Sequence, residues 1–182
     1  EKVLLEIYDA AYGKDARYDY WMVRGSDNVW RAKLKSNLAG HIYAYRCWGP
    51  NWPFDGKWKR GGSSAGFKDD VDSSGNRFNP NKALFDPYAR ELSHDKSNPA
   101  ALNGKNGTIY ASGAANRTED TGKYAPKAVV IDDATPVSTY KRIAQKDAII
   151  YEAHVRGLTK HDSASSLASI LSGFDGFSSV VN

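Results

Sequence analysis

The chain has almost no cysteine and almost no methionine: one Cys, Cys47, and one Met occur among 182 residues. A lone cysteine closes no intrachain disulfide, so no disulfide framework supports the fold. Nor does it build a cysteine-based zinc site. Long hydrophobic runs are also missing, and none approaches the roughly 20 residues that span a bilayer. Charge of one sign is lacking too. The 25 Lys and Arg are set against 21 Asp and Glu, and the net +4 is spread with both signs interspersed. That pattern excludes the Lys/Arg blocks of nucleic-acid-binding tails. The densest basic stretch, Lys57 to Arg60, surrounds Trp58 and by itself names no partner.

Aromatic residues, in contrast, are plentiful. They make up 12% of the chain, with 5 Trp and 11 Tyr, which argues against a disordered segment. The length suits one domain, or one domain and part of another. Both ends read as cut. Val3, Leu5 and Ile7 alternate, so the chain opens within or at the start of a strand. At the other end Val180 and Val181 have little left to pack against. The expectation is a segment of a longer protein, in which a removed signal peptide would be invisible.

Four strand-like runs occupy the first 50 residues: Val3–Asp9, Tyr18–Val23, Asn28–Lys35 and His41–Trp48. In the third, Trp30, Ala32 and Leu34 share one face and Arg31, Lys33 and Lys35 the other, as in a sheet with one wet face. The spacers carry turn residues, and the spacing predicts an antiparallel, Ig-like β-sandwich. Four strands are too few for a sandwich of roughly 100 residues, so the others are expected before Glu1 or further on. From Gly49 to about Pro126 the periodicity fades into Gly, Asn, Asp, Ser and Pro. Scattered aromatics from Trp52 to Tyr88 are expected to tie this long connection to a surface. The stretch Leu102–Tyr124, poorer in such anchors, is expected to be the most mobile. Ala128–Ile131 and Ala148–Val155 are short apolar runs, and the second fits a buried parallel strand. Ser163–Leu171 has the spacing of a short helix stopped by Gly173.

No catalytic constellation stands out. The four histidines, His41, His94, His154 and His161, show no metal-ligand spacing, and neither a nucleophile elbow nor a phosphate-binding loop occurs. Asp69-Asp70-Val71-Asp72 lacks the placed Glu of a calcium-binding EF-hand and reads as an acidic turn. The most informative feature is the cluster Tyr43, Tyr45, Trp48, Trp52 and Trp58, all within 16 residues. Flat aromatic rings stack on the C–H faces of sugars, which makes Tyr43, Trp48, Trp52 and Trp58 candidates for carbohydrate binding. The same side chains equally serve as core and inter-domain packing, or stack on single-stranded nucleic acid.

Three runs together resemble one family. They are Tyr43-Ala44-Tyr45-Arg46-Cys47-Trp48-Gly49-Pro50, then Arg77-Phe78-Asn79-Pro80-Asn81-Lys82-Ala83-Leu84-Phe85-Asp86-Pro87-Tyr88-Ala89, and Ala125-Pro126-Lys127 followed by Ile150-Tyr151-Glu152-Ala153-His154-Val155-Arg156-Gly157-Leu158-Thr159. In sequence, order and spacing they resemble the isoamylase and glycogen-debranching group of glycoside hydrolase family 13, its bacterial isoamylases above all. The resemblance spans essentially the whole chain. It implies a partial β-sandwich over residues 1–48, similar to carbohydrate-binding module family 48. Residues 49–146 would be a long connection, and residues 147–182 the start of a (β/α)8 barrel. In that setting Glu152 and His154 are scaffold. The resemblance also implies a structural calcium in some full-length members, with Asp95 as one ligand here, and no other cofactor.

Members of the family hydrolyse α-1,6 branch linkages of glycogen or amylopectin with retention, using two carboxylates about 5 Å apart. The motifs that carry them, of the DxxxNH and GFRxD types, do not occur here, and Gly173-Phe174-Asp175-Gly176-Phe177 only mimics the second. The expected function is thus that of an N-terminal segment of a debranching enzyme, inert alone. Its partners would be α-glucan and the rest of its own barrel, without nucleic acid or membrane. The alternative is a free-standing α-glucan-binding module. The compartment stays open, with bacterial secretion slightly preferred over the cytoplasm.

Overall fold

The computed structural model describes residues 1–35, 37–132, 143–149 and Glu152. Residues Glu1–Asp132 form one compact unit and Asp133–Asn182 a second. The described chain is mainly β, with every strand pair antiparallel, and fits part of a β-sandwich. The strands are β1 (Lys2–Tyr8), β2 (Tyr18–Trp21), β3 (Val23–Arg24), β4 (Trp30–Arg31), β5 (Ile42–Trp48) and β6 (Ala128–Val129). One sheet has the order β2-β1-β5-β6, and β3 and β4 form a separate hairpin. In the second unit the short turn Gln145–Asp147 is 3-10 helical. Apart from Ala148, Ile149 and Glu152, the strand expected at Ala148–Val155 lies outside the described residues. So does the helix expected at Ser163–Leu171.

The first and fourth sequence runs become β1 and β5, which pair along their full length from Lys2↔Trp48 to Tyr8↔Ile42. The second run breaks at Met22, whose N–H donates to Val3 O, and divides into β2 and β3. The third shrinks to β4, whose partner among the described residues is the two-residue β3. Asn28, with a φ of 63°, turns that hairpin, and Arg31 pairs with Asp27 at 2.6 Å beside it.

Alternation along β1 sorts its side chains between two faces. Leu4, Glu6 and Tyr8 share one face with Ala44, Arg46 and Trp48 of β5. Leu5 and Ile7 share the other with Tyr43 and Tyr45, and with Tyr18 and Tyr20 of β2. Leu4 through Tyr8 are all buried, so β1 has no wet face. The long connection covers the first face. Leu4, Trp48 and Trp52 form a core joined by Phe54, Trp58 and Phe67. The rings meet edge to face, Trp48–Trp58 at 5.0 Å and 88°, Trp52–Phe67 at 4.9 Å and 72°, a favoured aromatic geometry.

Polar side chains hold this connection as firmly as the rings do. Gly49 and Trp52 exchange backbone hydrogen bonds of 3.1 and 2.9 Å around a tight turn. Buried Asn51 donates to Asp69 O and Phe78 O and accepts from Phe78 N. Asp72 caps the acidic turn by accepting from the N–H groups of Ser74 and Asn76. Lys82 Nζ donates to Ile109 O, Asn116 O and Glu119 O at 2.6–2.9 Å. The stretch Leu102–Tyr124 is thus pinned by polar groups where aromatic anchors are scarce. The ring of Phe78 lies so close to Gly49 that a Cβ there would sit 2.1 Å from its Cδ2. Gly49→Ala is expected to cost about 1–3 kcal/mol through overpacking, seen as a lower thermal midpoint at unchanged spectroscopic content.

Candidate functional site

The four aromatic candidates separate on burial. Trp48 and Trp52 are each 1% exposed and sit in the core, so neither indole offers an open face. Trp58 is partly buried, stacked edge-on against Trp48 with the Arg46 guanidinium 5.5 Å from its centroid. Tyr43 is partly buried on the opposite face of β5, and its hydroxyl donates to Asp86 Oδ2 at 2.9 Å. Burial, helped by that bond to Asp86, raises the Tyr43 hydroxyl well above its usual pKa. The structure therefore does not bring the four into one platform.

Behind the aromatic core lies a charge network that the sequence reading missed. Glu6 and Arg46 are both fully buried and meet at 2.8 Å between Nε and Oε1. Arg46 also donates to Pro80 O and to Asp120 Oδ1, each at 2.9 Å. Glu6 further accepts from the Tyr8 hydroxyl at 2.5 Å and from Arg60 at 2.6 Å. Arg60 continues to Asp19, and Asp120 accepts from the N–H groups of Gly61 and Gly122. Burial opposes ionisation of Asp120, but Arg46 and the two N–H groups outweigh it and hold its pKa below the ordinary value. Both carboxylates are saturated by donors. The arrangement suits a fixed strut and leaves neither oxygen pair free to move a proton. The sequence signal was a glutamate at an inward position of an apolar strand, diagonal across the ladder from an arginine that also faces in.

Asn79, Asn81 and Lys82 make a second strut. Fully buried Asn81 accepts from Ser63 N and donates to Ser63 O and Arg117 O. Asn79 donates to Arg117 O as well. The motif Arg77–Ala89 is thereby placed at the crossing of three loops.

Comparison with known proteins gives the same direction. The chain is 44% identical over 171 residues to an isoamylase of Pseudomonas amyloderamosa, covering 90% of this chain and 22% of that protein. It is 54% identical over 161 residues to an isoamylase of Flavobacterium sp, covering 87% and 20%. A glycogen debranching enzyme of Salmonella typhi is 34% identical over 167 residues, covering 87% and 20%. No family model matches. By sequence, nine-tenths of the chain is similar to proteins of the isoamylase and glycogen-debranching group. The chain spans about a fifth of the length of the curated relatives it matches.

Among the described residues of the three motifs the roles are structural. Asp86 fixes Tyr43, Asn81 and Lys82 fix the loops, and Lys127 closes the unit. Lys127 is fully buried; its Nζ donates to Ala11 O and Ala125 O at 2.9 Å and lies 4.5 Å from the Tyr8 ring centroid. Burial pushes its pKa down to about 8, with Glu6 resisting the shift. The unfolded chain therefore holds this proton more tightly than the folded one. Stability is expected to rise by about 1 kcal/mol between about pH 8 and pH 9. Urea titrations of the chain and of Lys127→Met should differ in slope over that window, and parallel curves would overturn the expectation.

Asp95 opens the turn before α1 (Pro99–Leu102). Its Oδ1 accepts from the backbone N–H and the hydroxyl of Ser97, which lowers its pKa. Calcium takes six to eight oxygen ligands. Among the described residues no group of three or more candidate ligand side chains gathers, so Asp95 supplies one carboxylate and not a complete site.

Proposed function

We propose that this chain is the segment of an isoamylase-type debranching enzyme that leads from a β-sandwich into a (β/α)8 barrel, in a polypeptide that hydrolyses α-1,6 branch linkages of glycogen or amylopectin. The observation that carries this reading is 44–54% identity to two isoamylases over about nine-tenths of the chain. Support also comes from the role of Tyr43–Pro50 and Arg77–Ala89, which weld the connection onto the sheet. On this reading residues 1–48 are sandwich, residues 49–146 are the connection, and residues 147–182 begin the barrel. Trp48 and Trp52 serve the segment as packing, and any contribution of Tyr43 and Trp58 to glucan contact is made from their exposed edges. Asp95 contributes to calcium binding only if ligands join it from elsewhere in the polypeptide.

The test is enzymatic. The whole polypeptide that carries this segment is expected to debranch amylopectin, read as iodine-stain change and new reducing ends with retained anomeric configuration. Residues 1–182 alone are expected to release none. A whole polypeptide without debranching activity, or hydrolysis by the purified segment, would overturn the reading.

A further inference from the structure

We propose that Asn106 is a site of spontaneous deamidation, promoted by the loop that carries it, and that the neighbouring Asn103 is protected. Both are followed by glycine, in the run Asn103-Gly104-Lys105-Asn106-Gly107-Thr108. Both pairs are exposed, and a Cβ built on either glycine would meet nothing within 4 Å. By sequence the two are equal candidates, and the backbone divides them. Deamidation needs the glycine nitrogen to reach the side-chain carbon Cγ of the asparagine before it. The asparagine's ψ decides this, because it sets where the next nitrogen stands relative to Cβ. Asn106 has a ψ of 174°, which puts the Gly107 nitrogen on the flank of its side chain. Asn103 is left-handed with a ψ of 51°, which turns the Gly104 nitrogen to the side away from Cβ. The Gly107 N–H donates to no acceptor among the described residues, so no hydrogen bond has to break before the nitrogen is used.

The Asn106 amide is also activated. Its Oδ1 accepts from the backbone N–H of Thr108 at 2.9 Å and from the Thr108 hydroxyl. Both donors draw charge from Cγ and stand where the oxyanion of a tetrahedral intermediate forms, as in an oxyanion hole. The Gly107 N–H gives its proton to hydroxide and its nitrogen bonds to Cγ. The side-chain nitrogen takes a proton from water and leaves as ammonia. The product is a succinimide, and nothing is oxidised or reduced. Water then opens the ring at either carbonyl, giving aspartate or isoaspartate. Isoaspartate carries the main chain through its side-chain carbon and so lengthens it by one bond. The extra length enters just ahead of the 3-10 turn Gly107–Tyr110. Ile109 of that turn is buried, and its carbonyl is one of the three that accept from Lys82 Nζ. With age the protein acquires a covalent form in which this Lys82 anchor is slackened.

Trypsin separates the two asparagines. Cleavage after Lys96, Lys105 and Arg117 puts Asn103 in the peptide 97–105 and Asn106 in the peptide 106–117. The folded 182-residue chain is aged in mildly alkaline buffer made with heavy-oxygen water, digested in ordinary water, and both peptides are followed by mass spectrometry. Conversion during ageing carries the heavy oxygen and conversion during digestion does not. Asn106 is expected to convert at least about fivefold faster than Asn103, since only its nucleophile is oriented. Isoaspartate in the 106–117 peptide is confirmed by methylation with isoaspartyl methyltransferase. In urea, where neither ψ is held, the two rates should come together. Gly107→Ala places a Cβ in open space beside the attacking nitrogen and should slow Asn106 about tenfold, with Asn103 unchanged. Thr108→Val removes the hydroxyl donor and should slow Asn106 about threefold, less than in a closed oxyanion hole because water reaches this loop. Equal rates in the folded chain, faster conversion at Asn103, or an unchanged Asn106 rate in Thr108→Val would each overturn the proposal. A variant that fails to fold shows itself by converging rates, as in urea, and the ratio of the two rates in the unaltered chain then decides alone.

Discussion

Arg46→Met is expected to lower the unfolding free energy by about 3–5 kcal/mol, the usual cost of leaving one member of a buried ion pair without its partner. Arg46 satisfies Glu6, Asp120 and Pro80 O at once, and all of its side chain is out of water. Burial works against its charge, yet the carboxylates of Glu6 and Asp120 hold its pKa above the ordinary value. Methionine fills much of the volume but leaves Glu6 with only Arg60 and Tyr8, and Asp120 with only backbone donors. Chemical denaturation with an unchanged m-value measures the loss. Removing both charges with Glu6→Gln and Arg46→Met is expected to cost clearly less than the sum of the two single changes. A loss below about 1 kcal/mol in Arg46→Met would show that the network is not the strut described here.

Asn81→Ala is expected to cost about 2–4 kcal/mol. Two backbone groups, Ser63 N–H and Ser63 C=O, lose the Asn81 amide, while Arg117 C=O keeps its bond from Asn79, and each unsatisfied buried group costs about 1–3 kcal/mol before relaxation. Asn81→Asp keeps the acceptor but loses both donors and buries a charge, so it should be no better than alanine. Hydrogen exchange gives an independent reading. Amides of residues 61–65 and 116–121 should exchange faster in Asn81→Ala, with β1 and β5 protected as before. Uniformly faster exchange across the sheet would mean that Asn81 supports the whole unit and not only the loop crossing.

The strands were legible where they had long partners. The alternation in β1 and β5 gave both elements to within a residue, because full-length pairing makes the sequence period and the fold agree. The run through Trp30 failed beyond two residues, since alternation alone supplies no strand to pair with. The aromatic cluster was visible as a cluster, but its purpose was not. Whether Trp48 faces a sugar or a core depends on how Trp52, Phe54, Trp58 and Phe67 of the connection fold back over it, and periodicity carries no such information. The charge network was hidden for the same reason. Glu6 and Arg46 are two residues among 46 charged ones, and only the β1–β5 register shows that they are diagonal neighbours on one face of the sheet.

Lys127 Nζ bonds to Ala11 O, 116 residues away, and β6 joins β5 from beyond the whole connection. This has a consequence for synthesis. The β2-β1-β5 sheet is complete once Trp48 has been made, and Trp52, Phe54, Trp58 and Phe67 soon cover its indole, but Asp120 and Lys127, which close the Tyr8–Glu6–Arg46 end of the same face, come much later. At translation rates of about 5–20 residues per second, a nascent chain holds that end uncovered for roughly 4–16 s. Through that interval the ribosome-borne sheet presents Tyr8 and a buried-to-be Glu6–Arg46 pair to the cytosol or to a translocation channel. A chaperone that recognises apolar surface has its clearest opportunity then, before the last loop closes.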